Sequence, residues 1–392
     1  MPWDRVIGQE RAVDVLRRAV AAERVAHAYL FHGPDGTGKR AAALALGRAL
    51  LCERRGTEGA PADDACGRCL ACTRSARLVH PDLHVLFPRP SDADPADVVA
   101  RIRRLAEEPY AAVDYRRLPT LDGKKGSNKQ AIYNVALVNE ELRRALSLRP
   151  VEGRRIVAVV TDAEAMRAEA ANAFLKLLEE PRPHVVLVLT AERPDRVLPT
   201  ILSRCQRVRF DPLGPEDVEG ALVARAGVPA DRAALVARLS DGSYTRALSL
   251  LEGEDLQALR ERALAFARAA YAMKPDEMPL LVEQAAALGR EPLKGLLVQL
   301  LGWVRDLVLV RAAGDAAPLV NVDQAEAIRR FVAGLPGARL DEMAVAVEEA
   351  AAMLDRNVHA GLLLTTLGFA LHDAMHGRPR SSLVAPLTEP VF

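Results

Sequence analysis

The sequence predicts an α/β protein in which a parallel sheet is covered by helices on both faces and is followed by helical regions. Over residues 1 to about 211, short apolar segments alternate with amphipathic ones, an order typical of parallel sheets. One of the apolar segments leads directly into a glycine-rich loop. The composition, 50% hydrophobic but only 4% aromatic, indicates a core of Ala, Leu and Val and favours helices packed on a sheet.

The expected elements follow in chain order. Helices are predicted over 9–23, 38–51, 96–108, 134–147 and 167–180, and strands over 28–32, 83–87, 155–160, 185–190 and 207–210. The helix over 167–180 has an apolar stripe made by Ala170, Phe174, Leu177 and Leu178 and is stopped by Pro181. A small helical lid follows, with Gly242 between two helices. From 259 onward the chain is expected to be helical, with Trp303 in a core rather than at an interface.

Length and charge limit the function. The 392 residues correspond to two or three domains of about 150 residues. The 53 basic and 52 acidic residues nearly cancel, so no global field draws the chain to nucleic acid or lipid. The first residues lack a secretion-signal pattern, and the longest aliphatic runs are too short to span a bilayer. We therefore expect a soluble, cytoplasmic protein with no membrane partner.

The loop after the strand at 28–32 is predicted to bind phosphate. It reads Gly33-Pro34-Asp35-Gly36-Thr37-Gly38-Lys39 and opens a helical pattern. Glycines let backbone N–H groups face a phosphate, while the lysine charge and the helix dipole add to the attraction. Arg40 stands where this loop needs a Ser or Thr hydroxyl for magnesium. One magnesium ligand is therefore missing.

A second loss follows the strand at 155–160. Hydrolysing enzymes with such a loop place an Asp-Glu pair here, for the metal and for the attacking water. This chain has Thr161 and Asp162 instead. The favoured interpretation of Asp162 is a cap of the following helix; the alternative is a shortened catalytic base. Both losses point to absent ATP hydrolysis.

Four of the five cysteines, Cys52, Cys66, Cys69 and Cys72, lie close together, and three of them form Cys-x2-Cys-x2-Cys. This spacing is typical of metal ligands rather than of a disulfide framework. Four thiolates complete a tetrahedral zinc site and leave no open position. We expect a structural Zn²⁺ that holds residues 52–80 together. Reduced thiols, a redox pair or an iron–sulfur cluster are the alternatives.

Six features occur in a fixed order within residues 3–250. They are Ile7-Gly8-Gln9-Glu10, His27-Ala28-Tyr29-Leu30-Phe31, the phosphate loop, the four cysteines, Asn172-Ala173-Phe174-Leu175-Lys176-Leu177-Leu178-Glu179-Glu180-Pro181 and Thr200-Ile201-Leu202-Ser203-Arg204-Cys205-Gln206. As a set they resemble the bacterial clamp-loader AAA+ ATPase family of DNA polymerase III. The last third of the chain matches that family only in its helical character.

The resemblance implies a three-domain subunit of a five-membered ring that opens the sliding clamp and places it on primed DNA. Its domains would be an AAA+ P-loop domain (1–211) with a zinc module (52–80), a helical lid (212–258) and an all-α collar for oligomerisation (259–392). The implied partners are gamma/tau-like motor subunits, a delta subunit, the clamp and DNA. The implied role is non-hydrolysing; an active gamma/tau-like motor ATPase and a zinc-dependent DNA-binding module are the alternatives.

The resemblance also implies residue roles. Arg204 would be an arginine finger acting in trans on the γ-phosphate bound by a neighbour; judged alone, it is an ordinary helix-end arginine. Val6 and Ile7 would line the adenine pocket, Thr190 would be a polar sensor and Arg246 a second sensor. The full set of implied nucleotide-binding positions is Val6, Ile7, Gly33, Gly36, Thr37, Gly38, Lys39, Arg40, Asp162, Thr190 and Arg246. ATP or ADP could remain as a non-hydrolysed ligand, and this is left open.

One stretch, residues 88–133, exceeds the family pattern. It holds the predicted helix over 96–108 and a basic run over 124–129. Loops of this length are commonly functional or disordered. A solvated loop is preferred over a phosphate-binding one, since only Tyr110, Tyr115 and Tyr133 could stack on bases. The Pro- and Ser-rich segment after His376 is expected to be frayed.

Overall fold

The computed structural model describes residues 3–57, 59–115, 131–252, 256–287, 290–354, 358–379 and 383. The basic run at 124–129 and most of the tail after His376 lie outside the described residues. The chain divides into two compact units, Met1–Leu248 and Ser249–Phe392, and each is described by itself.

The first unit is built on a five-stranded sheet. Its strands are β1 (Ala28–His32), β2 (Leu83–Leu86), β3 (Ile156–Val160), β4 (Val185–Ala191) and β5 (Gln206–Arg209). They are arranged in the order β2-β3-β4-β1-β5, and each pairing is parallel. The predicted parallel sheet is confirmed.

Helices cover both faces of this sheet. They are α1 (Glu10–Ala21), α2 (Lys39–Leu51), α3 (Leu70–Ala76), α4 (Pro95–Glu107), α5 (Arg144–Ser147), α6 (Ala168–Glu179) and α7 (Pro199–Leu202). Side chains alternate along β1, as expected for a strand: Tyr29 and Phe31 pack with α1 and α2. Leu30 packs with Phe174 of α6 on the opposite face. β1 is therefore buried on both sides, and the loop that follows it starts from a rigid strand.

The helix predicted over 134–147 has an unexpected geometry. Residues Leu137–Arg143 form a π-helical segment that runs into α5. The apolar residues of this segment, such as Leu137 and Leu142, are still buried against the sheet. Hydrophobic spacing predicts which face is buried, but it does not distinguish the wider π-helical turn.

The loop before β3 is fastened to the start of β2. The buried carboxylate of Asp82 accepts hydrogen bonds from the backbone N–H groups of Val151 (2.6 Å), Glu152 (2.9 Å) and Gly153 (2.8 Å). Burial opposes the charged form, but these three donors outweigh it and lower the pKa of Asp82.

The strand at one edge of the sheet, β5, pairs only with β1 among the described strands. Its Val208 side chain is buried, whereas Gln206, Arg207 and Arg209 are exposed. The edge that faces away from β1 is therefore flanked by cationic side chains.

The helices that follow β5 are α8 (Pro215–Ala226), α9 (Ala230–Leu239) and α10 (Tyr244–Glu252). Gly242 separates α9 from α10, as predicted, and has a φ of +75°. A Cβ atom there would lie 2.8 Å from the Cβ atom of Pro212. Only glycine meets both requirements without strain.

The second unit is helical. Its helices are α11 (Leu256–Ala272), α12 (Glu277–Ala287), α13 (Arg290–Ala313), α14 (Ala325–Gly334), α15 (Leu340–Leu354) and α16 (Ala360–Met375). Trp303 of α13 is buried, and its ring meets that of Phe331 edge-on at 5.0 Å, so the prediction of a core position is confirmed. No helix in the described part of the chain is both long and apolar enough to cross a bilayer.

Candidate nucleotide site, Arg204 and the four-cysteine cluster

The glycine-rich loop lies at the carboxyl end of β1 and is tightly folded. Gly33 has a φ of +142°, and a Cβ atom there would lie 2.0 Å from the carbonyl oxygen of Phe210. The Lys39 ammonium group donates to the carbonyl oxygen of Gly33 at 2.6 Å and also to that of Pro34. Thr37 Oγ1 donates to the Pro34 carbonyl at 2.8 Å. The lysine that sequence analysis assigned to phosphate therefore binds backbone carbonyl groups of its own loop.

The ends of β3 and β4 meet beside this loop. The backbone N–H of Asp162 donates to Thr190 Oγ1 at 3.2 Å, which joins two predicted site residues. Thr161 is 3% exposed, and its Oγ1 atom has no hydrogen-bond partner among the described residues. An unpartnered buried hydroxyl next to the loop is a polar group that water or a ligand would satisfy.

The interpretation of Asp162 as a helix cap is wrong. Asp162 precedes a short 3-10 turn (Ala163–Ala165), and its side chain makes no capping hydrogen bond. Its φ of +51° places it in the left-handed region, which Asp tolerates better than most residues. The left-handed backbone at the end of β3 therefore accounts for an Asp at position 162, and a helix cap does not.

Arg40, which stands where a magnesium ligand was expected, binds backbone carbonyl groups of the segment that follows α4. Its Nε atom donates to the carbonyl oxygen of Pro109 at 2.9 Å, and its terminal nitrogen donates to that of Ala111. Arg40, which stands in place of a magnesium ligand, thus binds the segment Pro109–Ala111 that follows α4.

Tyr110, which sequence analysis considered only for base stacking, is the main unexpected residue of the site. It is 2% exposed, and its hydroxyl oxygen accepts a hydrogen bond from the Ile7 N–H at 2.9 Å. Its carbonyl oxygen accepts from Thr245 Oγ1 at 2.7 Å. Burial raises the pKa of Tyr110, so the hydroxyl stays protonated at neutral pH.

The described part of the insertion is not a solvated loop, which corrects that expectation. Arg101 and Leu105 of α4 are fully buried, and Tyr110, Tyr115 and Tyr133 are each at most 7% exposed. None of these three rings is available to stack on bases. Along α4, Leu105 is buried and Val98 and Ile102 are partly buried, whereas Val99 is exposed, so one face of the helix packs inward.

A cavity of about 30 Å³ remains beside the loop. Of the predicted nucleotide-binding residues, it is lined by Gly36, Gly38, Lys39, Arg40, Asp162 and Thr190. Val6, Ile7, Gly33, Thr37 and Arg246 do not line it. Arg246 is half-buried, and burial lowers the pKa of its guanidinium despite the opposing charge of Asp241.

Arg204 lies apart from this cavity, between α7 and β5. One terminal nitrogen donates to the Thr200 carbonyl oxygen at 3.0 Å, and the other lies 3.0 Å from Glu179 Oε1. Its side chain is 37% exposed, which leaves part of the guanidinium accessible. The neighbouring Cys205 thiol is a poor nucleophile, because burial raises its pKa to about 11.

The four predicted cysteines do converge. Their sulfur atoms all lie within 4.8 Å of one another, with Cys52 to Cys69 at 4.0 Å and Cys66 to Cys72 at 3.9 Å. A tetrahedral zinc ion with Zn–S bonds of about 2.3 Å would separate its sulfurs by about 3.8 Å. The cluster therefore fits Zn²⁺ with little rearrangement. Backbone N–H groups of Cys66 and Cys72 point at the sulfurs of Cys52 (3.3 Å) and Cys69 (3.4 Å), and such donors stabilise thiolates.

Comparison with known proteins gives a consistent result. Residues 8–214 match the model of the family described as DNA polymerase III, delta subunit. The chain is 26% identical over 368 residues to DNA polymerase III subunit delta' of Bacillus subtilis, covering 93% of this chain and 96% of that protein. It is 30% identical over 305 residues to the delta' subunit of Escherichia coli, covering 77% and 75%. It is also 29% identical over 349 residues to the gamma/tau subunit of Mycobacterium tuberculosis, but spans only 51% of that protein's length.

Proposed function

The chain belongs to the DNA polymerase III delta-subunit family as a delta' subunit of the clamp loader, and on that basis we propose that it works without hydrolysing ATP itself. Its Arg204 side chain completes the nucleotide site of a neighbouring gamma/tau-like motor subunit. In this role the chain contributes to placing the sliding clamp on primed DNA, with a delta subunit as a further partner.

The observation that carries this proposal is the position of Arg204. The guanidinium is partly accessible and does not line the chain's own cavity. A charge that develops on a γ-phosphate is stabilised by such a planar cation, an effect of about 10³ to 10⁵ in rate in enzymes with arginine fingers. The side chain is thus suited to act on a phosphate held by another subunit.

The chain's own loop supports the non-hydrolysing half of the proposal. Arg40 replaces a hydroxyl ligand of magnesium and is engaged with the carbonyl groups of residues 109 and 111. Thr161, in the position of the metal-binding Asp, offers a neutral oxygen in place of a carboxylate. Magnesium prefers carboxylate and phosphate oxygens, so two changes weaken the same metal site.

The zinc module has a structural role in this proposal. The four thiolates of Cys52, Cys66, Cys69 and Cys72 would fill every coordination position of Zn²⁺. The ion would hold α3 against the end of α2 without taking part in chemistry.

The test is a clamp loader reconstituted with Arg204→Ala, compared with wild type and with Arg193→Ala. Arg193 is an exposed arginine that pairs with Asp195 two residues away, so it controls for loss of surface charge. We expect hydrolysis of ATP at the adjoining site, in the presence of primed DNA and clamp, to fall by about 10³-fold only in the Arg204 variant. An unchanged rate would remove the finger role, and robust ATP turnover by the isolated chain would favour a motor function instead.

A further inference from the structure

We propose that the segment Pro109–Ala111, contributed by the insertion, occupies this chain's own nucleotide site as an internal ligand and keeps adenine nucleotide out. The inference goes beyond the proposed function, because it concerns whether this loop binds nucleotide at all and gives the insertion a role. It stands on contacts from three separate parts of the first unit.

The first group of contacts anchors the segment. Arg40, in the first turn of α2, donates to the carbonyl oxygens of Pro109 and Ala111, one on each side of Tyr110. Arg5 donates to the carbonyl oxygens of Ala106 (3.2 Å) and Glu107 at the end of α4. Two arginines therefore bind the last carbonyl groups of α4 and those just beyond it. Their positive charges also interact favourably with the negative end of the helix dipole.

The second group of contacts resembles those that a nucleobase makes. The Tyr110 hydroxyl oxygen accepts from the Ile7 N–H, a backbone donor in the segment before α1. The Tyr110 ring meets the Tyr244 ring edge-on, with centroids 5.1 Å apart. An acceptor for a backbone N–H and an aromatic surface are the two features that an adenine ring would supply, and one side chain supplies both.

The third group of contacts covers the glycine-rich loop. A Cβ atom on Gly38 would lie 2.7 Å from the Tyr110 hydroxyl oxygen, and one on Gly36 would lie 2.0 Å from Ser243 Oγ. The Tyr244 N–H donates to the Gly36 carbonyl oxygen at 3.0 Å. The loop is thus covered by Tyr110 on one side and by the start of α10 on the other.

The space that remains beside the loop is narrow, because Tyr110 and Thr245 line it. The cavity of about 30 Å³ holds about two water molecules, since one water needs roughly 10–15 Å³. A bound nucleotide would have to displace Tyr110 and break its bonds to Ile7 and Thr245. The apparent affinity for nucleotide is therefore reduced by the fraction of molecules in which the segment is displaced.

The experiment measures binding of a fluorescent ADP analogue with Mg²⁺ to the full isolated chain, with unlabelled ADP as competitor. The variants are Tyr110→Ala, which removes the occupant, and Arg40→Ala, which removes the bonds to Pro109 and Ala111 without adding a magnesium ligand and keeps the Tyr110 ring. The matched control is Tyr115→Phe in the same insertion; Tyr115 packs on Phe87 and under the Arg101 guanidinium at 3.7 Å, away from the loop. We expect wild type and control to bind only weakly, and both Tyr110→Ala and Arg40→Ala to bind at least tenfold more tightly.

Two results would overturn the inference. One is tight binding by wild type that neither variant improves; the other is weaker binding in Tyr110→Ala, which would mean that the ring stacks on a bound base. If Tyr110→Ala does not fold by circular dichroism, Arg40→Ala alone decides, because it retains the buried ring. The measurement uses no other subunit, so its failure leaves the Arg204 proposal intact, and failure of the Arg204 test in the ring leaves this inference intact.

Discussion

The carboxylate of Glu179 lies 3.0 Å from the guanidinium of Arg204. This ion pair joins the last residue of α6 to the turn before β5, and the two residues are 25 positions apart in the sequence. The Thr200 carbonyl group and Glu179 both bind the guanidinium from within the chain. In the role proposed for Arg204, Glu179 would act as a positioning residue.

Replacing Glu179 by Gln should slow ATP hydrolysis at the adjoining site of the reconstituted clamp loader. Gln keeps the size but loses the charge that orients the cation, so we expect about a tenfold loss in rate, which is smaller than for Arg204→Ala. The affinity of that site for ATP should change little. The matched control is Glu180→Gln, which alters the exposed adjacent carboxylate. Equal rates for Glu179→Gln and wild type would show that the ion pair does not position the finger.

Mass spectrometry of the native chain should show one bound Zn²⁺. Cys69→Ser should abolish stoichiometric zinc and lower the melting temperature, because the ion links α3 to the end of α2. Cys205→Ser, which changes the cysteine outside the cluster, should keep the metal. A chain that is fully folded without metal and unaffected by a chelator would contradict a structural zinc site.

Gly33→Ala should destabilise the protein far more than Gly227→Ala. Both glycines have positive φ values, +142° and +64°, so both variants carry a backbone cost of about 1 kcal/mol. Only at Gly33 would the added Cβ atom meet a backbone oxygen, that of Phe210 at 2.0 Å, whereas nothing lies within 4 Å at Gly227. Urea unfolding should show a difference of at least about 2 kcal/mol. Equal losses would mean that the loop shifts away from β5 at little cost.

Asp82 should make stability depend on pH in the acid range. Three backbone N–H groups lower the pKa of Asp82 in the folded state despite its burial, so the unfolded chain takes up a proton first as pH falls. The carboxylate therefore stabilises the fold above its unfolded pKa of about 3.9, and this contribution is lost as pH falls through the lower folded pKa. Asp82→Asn should cost about 1–3 kcal/mol at pH 7 and flatten the decline in acid. The same acid sensitivity in both proteins would assign it to other carboxylates.

The features that sequence predicted are those with a local signature. The strand at 28–32 is a continuous apolar run bounded by a glycine loop, and the cysteines have metal-ligand spacing, so both were recognised. Tyr110 was missed as a site residue because it reaches Ile7 across 103 positions, and nothing near it in the chain encodes that contact. The sequence predicts that Arg40 replaces a magnesium ligand. It does not predict what Arg40 binds, because its partners are backbone carbonyl groups, which every residue has. Asp162 has a left-handed backbone conformation where the sequence predicts a helix cap. The residue type does not distinguish the two, because the short polar side chain of Asp is common in both.

The arginines on β5 have a consequence for the protein in a crowded cell. An unpaired strand edge is a template on which another polypeptide can extend the sheet. Arg207 is exposed beside that edge, and the exposed Arg209 is ion-paired with Asp211 at 2.8 Å. Charged side chains beside an open strand edge disfavour the addition of a further strand, so they would oppose edge-to-edge association of two copies of this chain.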